Sequence, residues 1–268
     1  MLQSLLAWFI QLAPNTKRLF WKWWYNLFAR KVQDPSFQFM NYGYDEDGFY
    51  PSIHDSDEDE RYPIHLYHHV ATQVDLSKNH VLEVGSGRGG GASYVMRYLK
   101  PLSVTGLDIS KDAIALCRSI HSINNLFFKE GSSENLPFEN ESFDSVLNIE
   151  SSHCYGNVDR FLSEVYRVLR PGGEFLWCDF RHKNDILILE DQFKKSGLKI
   201  VSINDISLNI LSALKKMSIK RKNAIKKRVP FFLRSVFESY AGVEGSKIND
   251  LFLKGDLIYK SALLEKPE

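Results

Sequence analysis

The chain has 268 residues, 44% of them apolar and 13% aromatic, and a formal net charge of +1. This composition supports a sizeable core and excludes a disordered chain, while the near-neutral charge says little about partners. The three cysteines are odd in number and form no CxxC pair, which argues against a structural zinc site and favours a reducing, cytoplasmic compartment.

The first 31 residues are predicted to form amphipathic helices. The uncharged run "MLQSLLAWFIQLA" lacks the basic region and cleavage site of an export signal and is too short to span a bilayer. The next stretch, "NTKRLFWKWWYNLFARK", places apolar and aromatic residues on one helical face with basic residues around it. Two interpretations stay open: a lid packed over the core, or peripheral contact with a membrane.

From residue 62 the pattern alternates between short apolar strands and amphipathic helices. Strands are predicted at 80–85, 103–108, 126–131, 142–150, 174–180 and 198–206, with helices between them, and an insertion at 208–253 precedes a last strand at 257–266. We therefore predict an α/β fold for residues 62–268: a doubly wound, seven-stranded, mostly parallel sheet with an antiparallel edge hairpin. Residues 1–61 are predicted to form the N-terminal helices and lid.

Loops after the strands are the candidate binding sites, because ligands of such sheets bind beyond the carboxyl ends of the strands. Gly85 and Gly87 in "VLEVGSGRGGGA" allow a tight turn and a close backbone approach, although a glycine turn can be merely structural. Asp108 ends the second strand and is placed to accept hydrogen bonds from ribose hydroxyls. Together these residues predict an adenosine-containing cofactor.

Glu83 indicates which cofactor, because a carboxylate inside a buried strand is costly unless a cationic or hydroxylic group meets it. The segments "VLEVGSGRGGG", "GLDIS", "GSSENLPFENESFDSVLN" and "VYRVLRPGGEF" resemble, in order and spacing, the motifs of class I S-adenosylmethionine-dependent methyltransferases, which have a Rossmann-like fold. A narrower resemblance, in "FMNYGYDED", "LYHHVATQVDL", "ESSHCY" and "FLRSVFESYAGVEGS", is to the phthiotriol and phenolphthiotriol dimycocerosate methyltransferase group. That group O-methylates a hydroxyl on a long-chain lipid.

The resemblance implies a set of residues that bind S-adenosylmethionine. They are Tyr42, Glu83, Gly85, Gly87, Asp108, Ile109, Ser133, Glu134 and Asn148. Tyr42 would close over the cofactor as part of a lid, with ordinary aromatic packing as the alternative. Ser132 stands where the family commonly carries Asp, which leaves Ser133 and Glu134 as the better candidates for the adenine end.

The polar cluster "NIESSHCYGN" follows the fourth predicted strand, which in this fold ends beside the methyl group of the cofactor. An alcohol acceptor must lose its proton, so we predict His153 as the general base and Glu150 as the residue that orients or polarises it. The alternative for His153 is a structural role, capping the next helix or bonding a backbone carbonyl.

The insertion carries a basic group. Its members are Lys215, Lys216, Lys220, Arg221, Lys222, Lys226, Lys227 and Arg228. No aromatic residue is interleaved among them, so we predict no nucleic-acid partner and favour either anionic lipid or a solvated helix face. The acidic run at 55–60 lacks the ordered spacing of a metal site, and no metal is expected.

The sequence thus predicts an O-methyltransferase that acts on a hydroxyl of a lipid or polyketide-like small molecule. It would be cytoplasmic, with contact at a membrane surface left open. Alternatives are a methyltransferase of another natural product or of a quinone or sterol carbon, an RNA methyltransferase, and a non-catalytic cofactor-binding protein.

Overall fold

The computed structural model describes residues 37–229, 231 and 234–268, and its framework is one seven-stranded sheet. The strands are β1 His80–Val84, β2 Ser103–Asp108, β3 Leu126–Glu130, β4 Phe143–Ile149, β5 Leu169–His182, β6 Lys199–Asp205 and β7 Leu257–Glu265. Their order is β3-β2-β1-β4-β5-β7-β6. The pairs within β1 to β5 are parallel, and β7 runs antiparallel to both of its neighbours.

The helices are α1 Arg61–Ala71, α2 Gly90–Tyr94, α3 Lys111–Ile120, α4 Val158–Val168, α5 Ile186–Lys195, α6 Ser207–Arg228, α7 Arg234–Tyr240 and α8 Lys247–Leu253. α2 continues as a π-helical turn, Val95–Leu99, and short 3-10 turns occur at Asp55–Glu60, Ser152–Cys154 and Lys183–Asp185. Three helices begin at a side-chain cap, with Ser110, Asn157 and Ser246 each accepting the N–H three residues ahead. Such caps satisfy N–H groups that the first helical turn leaves unpaired.

The sheet is buried on both faces, as a doubly wound domain requires. One layer packs residues such as Val81 against Ile64 of α1 and Ile210 of α6. The opposite layer packs Leu82 against Phe161 of α4, together with the other buried side chains of α4 and α5. Neighbours along one strand therefore point into different cores, which is why Val81 and Leu82 of β1 are both fully buried.

The predicted fold class is confirmed, and the structure refines the position of the last strand. We expected β7 at the sheet edge, but it lies between β5 and β6, with Leu263 opposite both Leu176 and Ser202. The physical reason is burial: β7 alternates buried side chains, whereas β6 is largely exposed and takes the outer position. The insertion before β7 is helical, as expected.

Residues 37–45, here called the strap, have no regular secondary structure and lie between α1 and α6. The side-chain amide of Asn41 donates to a backbone carbonyl of α1 at 3.2 Å, and Arg221 of α6 donates to the Asn41 carbonyl at 2.7 Å. Asp45 forms an ion pair with Lys216 at 2.8 Å. Because both flanking helices bind it, the strap is part of the folded domain.

The helices predicted in the first 31 residues lie outside the described residues, and the proposed division at residue 61 stays a prediction. Within the described part of the chain, no helix combines the length and the apolar character needed to cross a bilayer.

Candidate active site

A cavity of about 1040 Å³ opens at the carboxyl ends of the parallel strands, beneath the strap. Nine of the eleven residues that were predicted to form the site lie in the lining of this cavity: Tyr42, Gly85, Gly87, Asp108, Ile109, Ser133, Glu134, Glu150 and His153. Glu83 and Asn148 are not among the lining residues. The topology therefore brings the predicted residues to one place.

The turn after β1 is built on glycine for steric reasons. Gly85 and Gly87 have positive φ values of 83° and 52°, a region that side chains disfavour. A Cβ added at Gly85 would approach Ser151 Oγ to 1.9 Å, and one at Gly87 would approach Met40 to 2.8 Å. The turn thus passes directly against the end of β4 and under the strap.

Asp108 ends β2 and braces this turn. Its carboxylate accepts the Gly87 N–H at 2.9 Å and the Ser110 N–H at 2.8 Å, and the residue lines the cavity. Burial raises the pKa of Asp108 to about 6, although the hydrogen bonds from backbone N–H groups act the other way. A carboxylate that faces a cavity in this state is prepared to accept further hydrogen bonds.

Glu83 and Asn148 lie behind the cavity wall. Glu83 accepts a hydrogen bond from the Tyr67 hydroxyl at 2.6 Å, while its other carboxyl oxygen is buried without a partner. Asn148 donates to the Val84 carbonyl and to the Tyr155 hydroxyl, both at 2.8 Å. Both residues hold the strand ends in place, and their contact with a cofactor stays a prediction.

The loop after β3 supplies Ser132, Ser133 and Glu134 to the cavity. Glu134 Oε1 accepts the N–H groups of Gly156 and Asn157, at 3.0 and 3.1 Å. This carboxylate therefore also ties the β3 loop to the segment that leads into α4.

His153 is held by an acid that the sequence analysis did not select. Its Nδ1 lies 2.8 Å from Asp179 Oδ1, and its backbone N–H donates to Asp179 Oδ2 at 2.8 Å. The Ser152 hydroxyl donates to the same Oδ2 at 2.8 Å, and Arg181 pairs with it at 3.2 Å. Asp179 is fully buried at the end of β5. It sets the position of the imidazole, which lines the cavity beside Phe180 at 4.4 Å between ring centroids.

Glu150, which we expected to orient or polarise His153, makes its hydrogen bonds to the strap and to β7. Glu150 takes the left-handed backbone conformation, with φ of 48°, and its Oε2 accepts the Tyr42 N–H and the Tyr259 hydroxyl at 2.8 Å each. It fastens the strap to the core at the cavity wall. Tyr42 itself stacks on Phe180 at 5.6 Å and donates its hydroxyl to a carbonyl of α7.

The acids and the histidine of this region differ in charge state because their partners differ. Burial raises the pKa of Glu150 to about 7, despite hydrogen bonds from Tyr42 and Tyr259. Burial alone would also raise the pKa of Asp179, but the nearby His153 and Arg181 hold it well below its usual range. For His153, burial lowers the pKa, yet Cys154 and Asp179 outweigh burial and raise it to about 10. The structure therefore favours an imidazolium–carboxylate pair at neutral pH.

Asp179 was missed, although a signal for it exists. It follows the apolar residues "FLWC" near the end of a strand next to β4, and polar residues at a strand end are the pattern that led us to His153. Other lining residues come from the insertion and α5, and none of them was predicted to belong to the site: Ile188, Leu189, Gln192, Val236, Ser239, Tyr240, Lys247, Ile248 and Leu251. His68 of α1 lies 2.5 Å from the Tyr94 hydroxyl and does not line the cavity.

Comparisons with known proteins agree with this geometry. A profile described as "Methyltransferase domain" matches residues 82–177. A phthiotriol/phenolphthiotriol dimycocerosates methyltransferase from Mycobacterium leprae is 42% identical over 256 residues, covering 94% of each chain. A fatty-acid O-methyltransferase from Mycolicibacterium smegmatis is 41% identical over 219 residues, covering 81% of this chain and 79% of that one.

The chain belongs to the phthiotriol/phenolphthiotriol dimycocerosates methyltransferase family. The prediction of a class I S-adenosylmethionine-dependent methyltransferase is thereby confirmed. A solved geranyl diphosphate methyltransferase shares the fold, with a TM-score of 0.63 at 12% identity over 91% of this chain and 99% of that chain.

S-adenosylmethionine fits the residues present in the methyltransferase. The glycine turn leaves no room for side chains at Gly85 and Gly87, so a ligand can approach the backbone closely. Ser86 lines the cavity beside them, and its buried hydroxyl has no hydrogen-bond partner. Within the described residues, no group of three or more His, Cys, Asp or Glu is arranged to hold a metal ion.

The buried Glu83 predicts how stability depends on pH. Burial raises the pKa of Glu83 from 4.5 to about 7, so between these values the folded protein keeps a proton that the unfolded chain releases. The free energy of unfolding should therefore fall as pH rises through this window. Glu83→Gln should remove that fall and stabilise the cofactor-free protein at pH 8 by about 1 to 3 kcal/mol, measured by urea unfolding at pH 5 and 8.

Glu164→Gln is the matched control for this measurement. Glu164 is also buried, but Arg167 and the Leu136 N–H hold its pKa below the usual value, so the same substitution should destabilise the protein at pH 8. Loss of stability in Glu83→Gln at pH 8, or an unchanged pH dependence, would contradict our account of Glu83.

Proposed function

We propose that this methyltransferase transfers a methyl group to a hydroxyl oxygen of a lipid-like acceptor. The observation that carries the proposal is a single cavity that runs from Asp108 and the glycine turn to the His153–Asp179 pair. One end suits a nucleoside, and the other presents a titratable group to an acceptor. The relatives named for lipid and fatty-acid methylation support a lipid as the acceptor class.

Different residues at the cofactor end of the cavity are assigned to different parts of the cofactor. We infer that Asp108 accepts hydrogen bonds from the ribose, that Ile109, Ser133 and Glu134 border the adenine, and that Gly85 and Gly87 lie against the chain joining ribose to sulfur. Glu83 and Asn148 would support the turn from behind, while Tyr42 covers it. When bound, S-adenosylmethionine supplies the methyl group on a sulfonium that is already a good leaving group.

His153 is the residue we assign to the acceptor proton. Asp179 fixes the imidazole ring, so no reorientation of the base is needed during the reaction. Because the pKa of His153 is raised to about 10, the neutral form that can accept a proton becomes more populated as pH rises. Glu150 acts through the strap and is a positioning residue.

A carboxyl oxygen is the second candidate acceptor. At neutral pH the imidazolium of His153 and the guanidinium of Arg181 both line the cavity, and together they favour an anion over a neutral hydroxyl. A carboxylate is already ionised and needs no base. This route yields a methyl ester, whereas the hydroxyl route yields an ether.

Labelled methyl transfer distinguishes these functions. With S-adenosylmethionine carrying a radiolabelled methyl group, we expect label in a total lipid extract and none in total RNA. Mild alkaline hydrolysis should leave the label on the lipid if it is an ether and release it as methanol if it is an ester. Label confined to RNA or to water-soluble compounds would refute the lipid proposal.

Asp179→Asn should move the pH dependence of the reaction. Removing the buried charge lowers the pKa of His153, so the rise of kcat/KM with pH for a hydroxyl acceptor should shift down by about one unit or more. His153→Ala should lower kcat by about 10² to 10⁴-fold while leaving cofactor affinity intact.

Asp159→Asn, an exposed position on α4 away from the cavity, is the control and should keep the wild-type profile. A normal rate in His153→Ala, or an unshifted profile in Asp179→Asn, would show that the pair does not handle the proton.

We also propose that the basic face of α6 contacts an anionic membrane. Lys216, Lys220 and Arg221 are engaged within the fold, where they bind Asp45, Asp59 and backbone carbonyls respectively. The other four lysines of α6 are exposed, namely Lys215, Lys222, Lys226 and Lys227. Ile219 on the same helix and Phe231 just beyond it are 76% and 83% exposed, so charge and apolar surface occur together.

Reversing four of these charges should weaken binding to anionic vesicles. Each lysine near such a surface contributes about 1 kcal/mol, so replacing Lys215, Lys222, Lys226 and Lys227 by Glu should reduce sedimentation with vesicles at least tenfold at low salt. The control replaces Lys78, Lys100, Lys111 and Lys194, which are exposed elsewhere. Equal losses in both variants, or no vesicle binding by the wild type, would contradict this proposal.

A further inference from the structure

One part of the cavity lining, here called the outer limb, comes from the end of β5, the start of β7, and helices α5, α7 and α8. The apolar members are Phe180, Ile188, Val236, Ile248, Leu251 and Leu257. Three of them lie in the helical insertion, which the seven-stranded core does not require.

The inner wall of the outer limb is apolar. Leu257 is 2% exposed, and Phe180 packs against Tyr42, Phe252 and Tyr259, so this wall is a closed aromatic surface. Polar and charged side chains also line this part of the cavity, but apolar surface exceeds polar surface over the cavity as a whole; they are Arg181, His182, Asp185, Gln192, Ser239, Tyr240 and Lys247. A ligand here gains free energy by removing apolar surface from water.

The rim of the outer limb is apolar as well. Leu187 and Ile188 at the start of α5 are 76% and 57% exposed, and Ile188 lines the cavity. The apolar surface thus continues from the cavity to the outside of the protein. A long chain could leave the limb along this path without losing apolar contact.

We infer that the outer limb binds the hydrocarbon chain of the acceptor, with the reacting oxygen at His153 and the chain leaving past Ile188. This inference rests on the proposed function, because it assumes that the acceptor oxygen lies at His153. On this inference, the helices of the protein that recognise the acceptor are α5, α7 and α8. The cavity, at about 1040 Å³, is at the upper end of the range for ligand sites, about 300 to 1,000 Å³.

The test measures binding without turnover. With S-adenosylhomocysteine at saturation, straight-chain 1-alkanols of increasing length compete against a fluorescent long-chain alcohol. Each methylene buried in the limb should tighten binding about fourfold. An affinity that does not change with chain length would overturn the inference.

Two tryptophan variants on α8 locate the effect. Leu251→Trp should fill the limb and weaken binding of the longest alcohol at least tenfold, while the affinity for S-adenosylhomocysteine stays normal and shows that the variant is folded. Leu253→Trp is the matched control, because Leu253 is on the same helix but 65% exposed and outside the lining. Equal behaviour of the two variants would overturn the inference.

The outcomes separate the limb from the proposed function. A chain-length dependence that Leu251→Trp abolishes, without methyl transfer to any lipid, would support the limb and refute the function. Methyl transfer to lipid with no chain-length dependence would refute the limb alone.

Discussion

The parallel alignment of β2, β1, β4 and β5 is the constraint on which the rest of the site depends. In this register Val84 lies opposite Leu107, and Ile149 lies opposite Cys178. The glycine turn, Asp108, the His153 segment and Asp179 therefore lie at the same end of these parallel pairs, although β5 itself continues to His182 beside β7. Gly85 and Ser151 are so close that a Cβ does not fit between them. Small changes of register would therefore disrupt both ends of the cavity.

Burial disfavours the ionised form of several carboxyl groups at this end of the sheet, and the groups beside each carboxyl decide whether it ionises at neutral pH. Glu83 and Glu150 accept hydrogen bonds from hydroxyl and N–H donors, but burial outweighs these bonds and raises the pKa of each to about 7. Asp179 has Arg181 and His153 beside it and stays ionised. The region around His153 thus combines a buried anion, Asp179, which fixes the histidine, with a carboxyl group, Glu150, whose pKa is raised toward neutral pH and which holds the strap.

Segments far apart in the chain close the cavity together. Glu150 binds the strap at Tyr42, the Tyr42 hydroxyl reaches the Tyr240 carbonyl of α7, and Arg221 of α6 binds both the strap and the Ala241 carbonyl. The strap is therefore joined by hydrogen bonds to the insertion, whose residues line another part of the same cavity.

The sequence alone determined what depends on local physics. Periodicity identified the strands and helices, glycine identified the tight turn, and an acid at a strand end identified Asp108. Together with the motif resemblance, these were sufficient for the family, the fold class and the cofactor.

The tertiary structure decided the contacts between residues distant in sequence. Only the strand register places Asp179, and not Glu150, against His153, because Glu150 turns away in a left-handed conformation. Only packing places β7 between β5 and β6 in the sheet. Likewise, only the fold shows that Lys216 and Arg221 bind groups within the protein. A basic or acidic residue looks the same in sequence whether it meets water or a partner, and the partner is known only once the chain has folded.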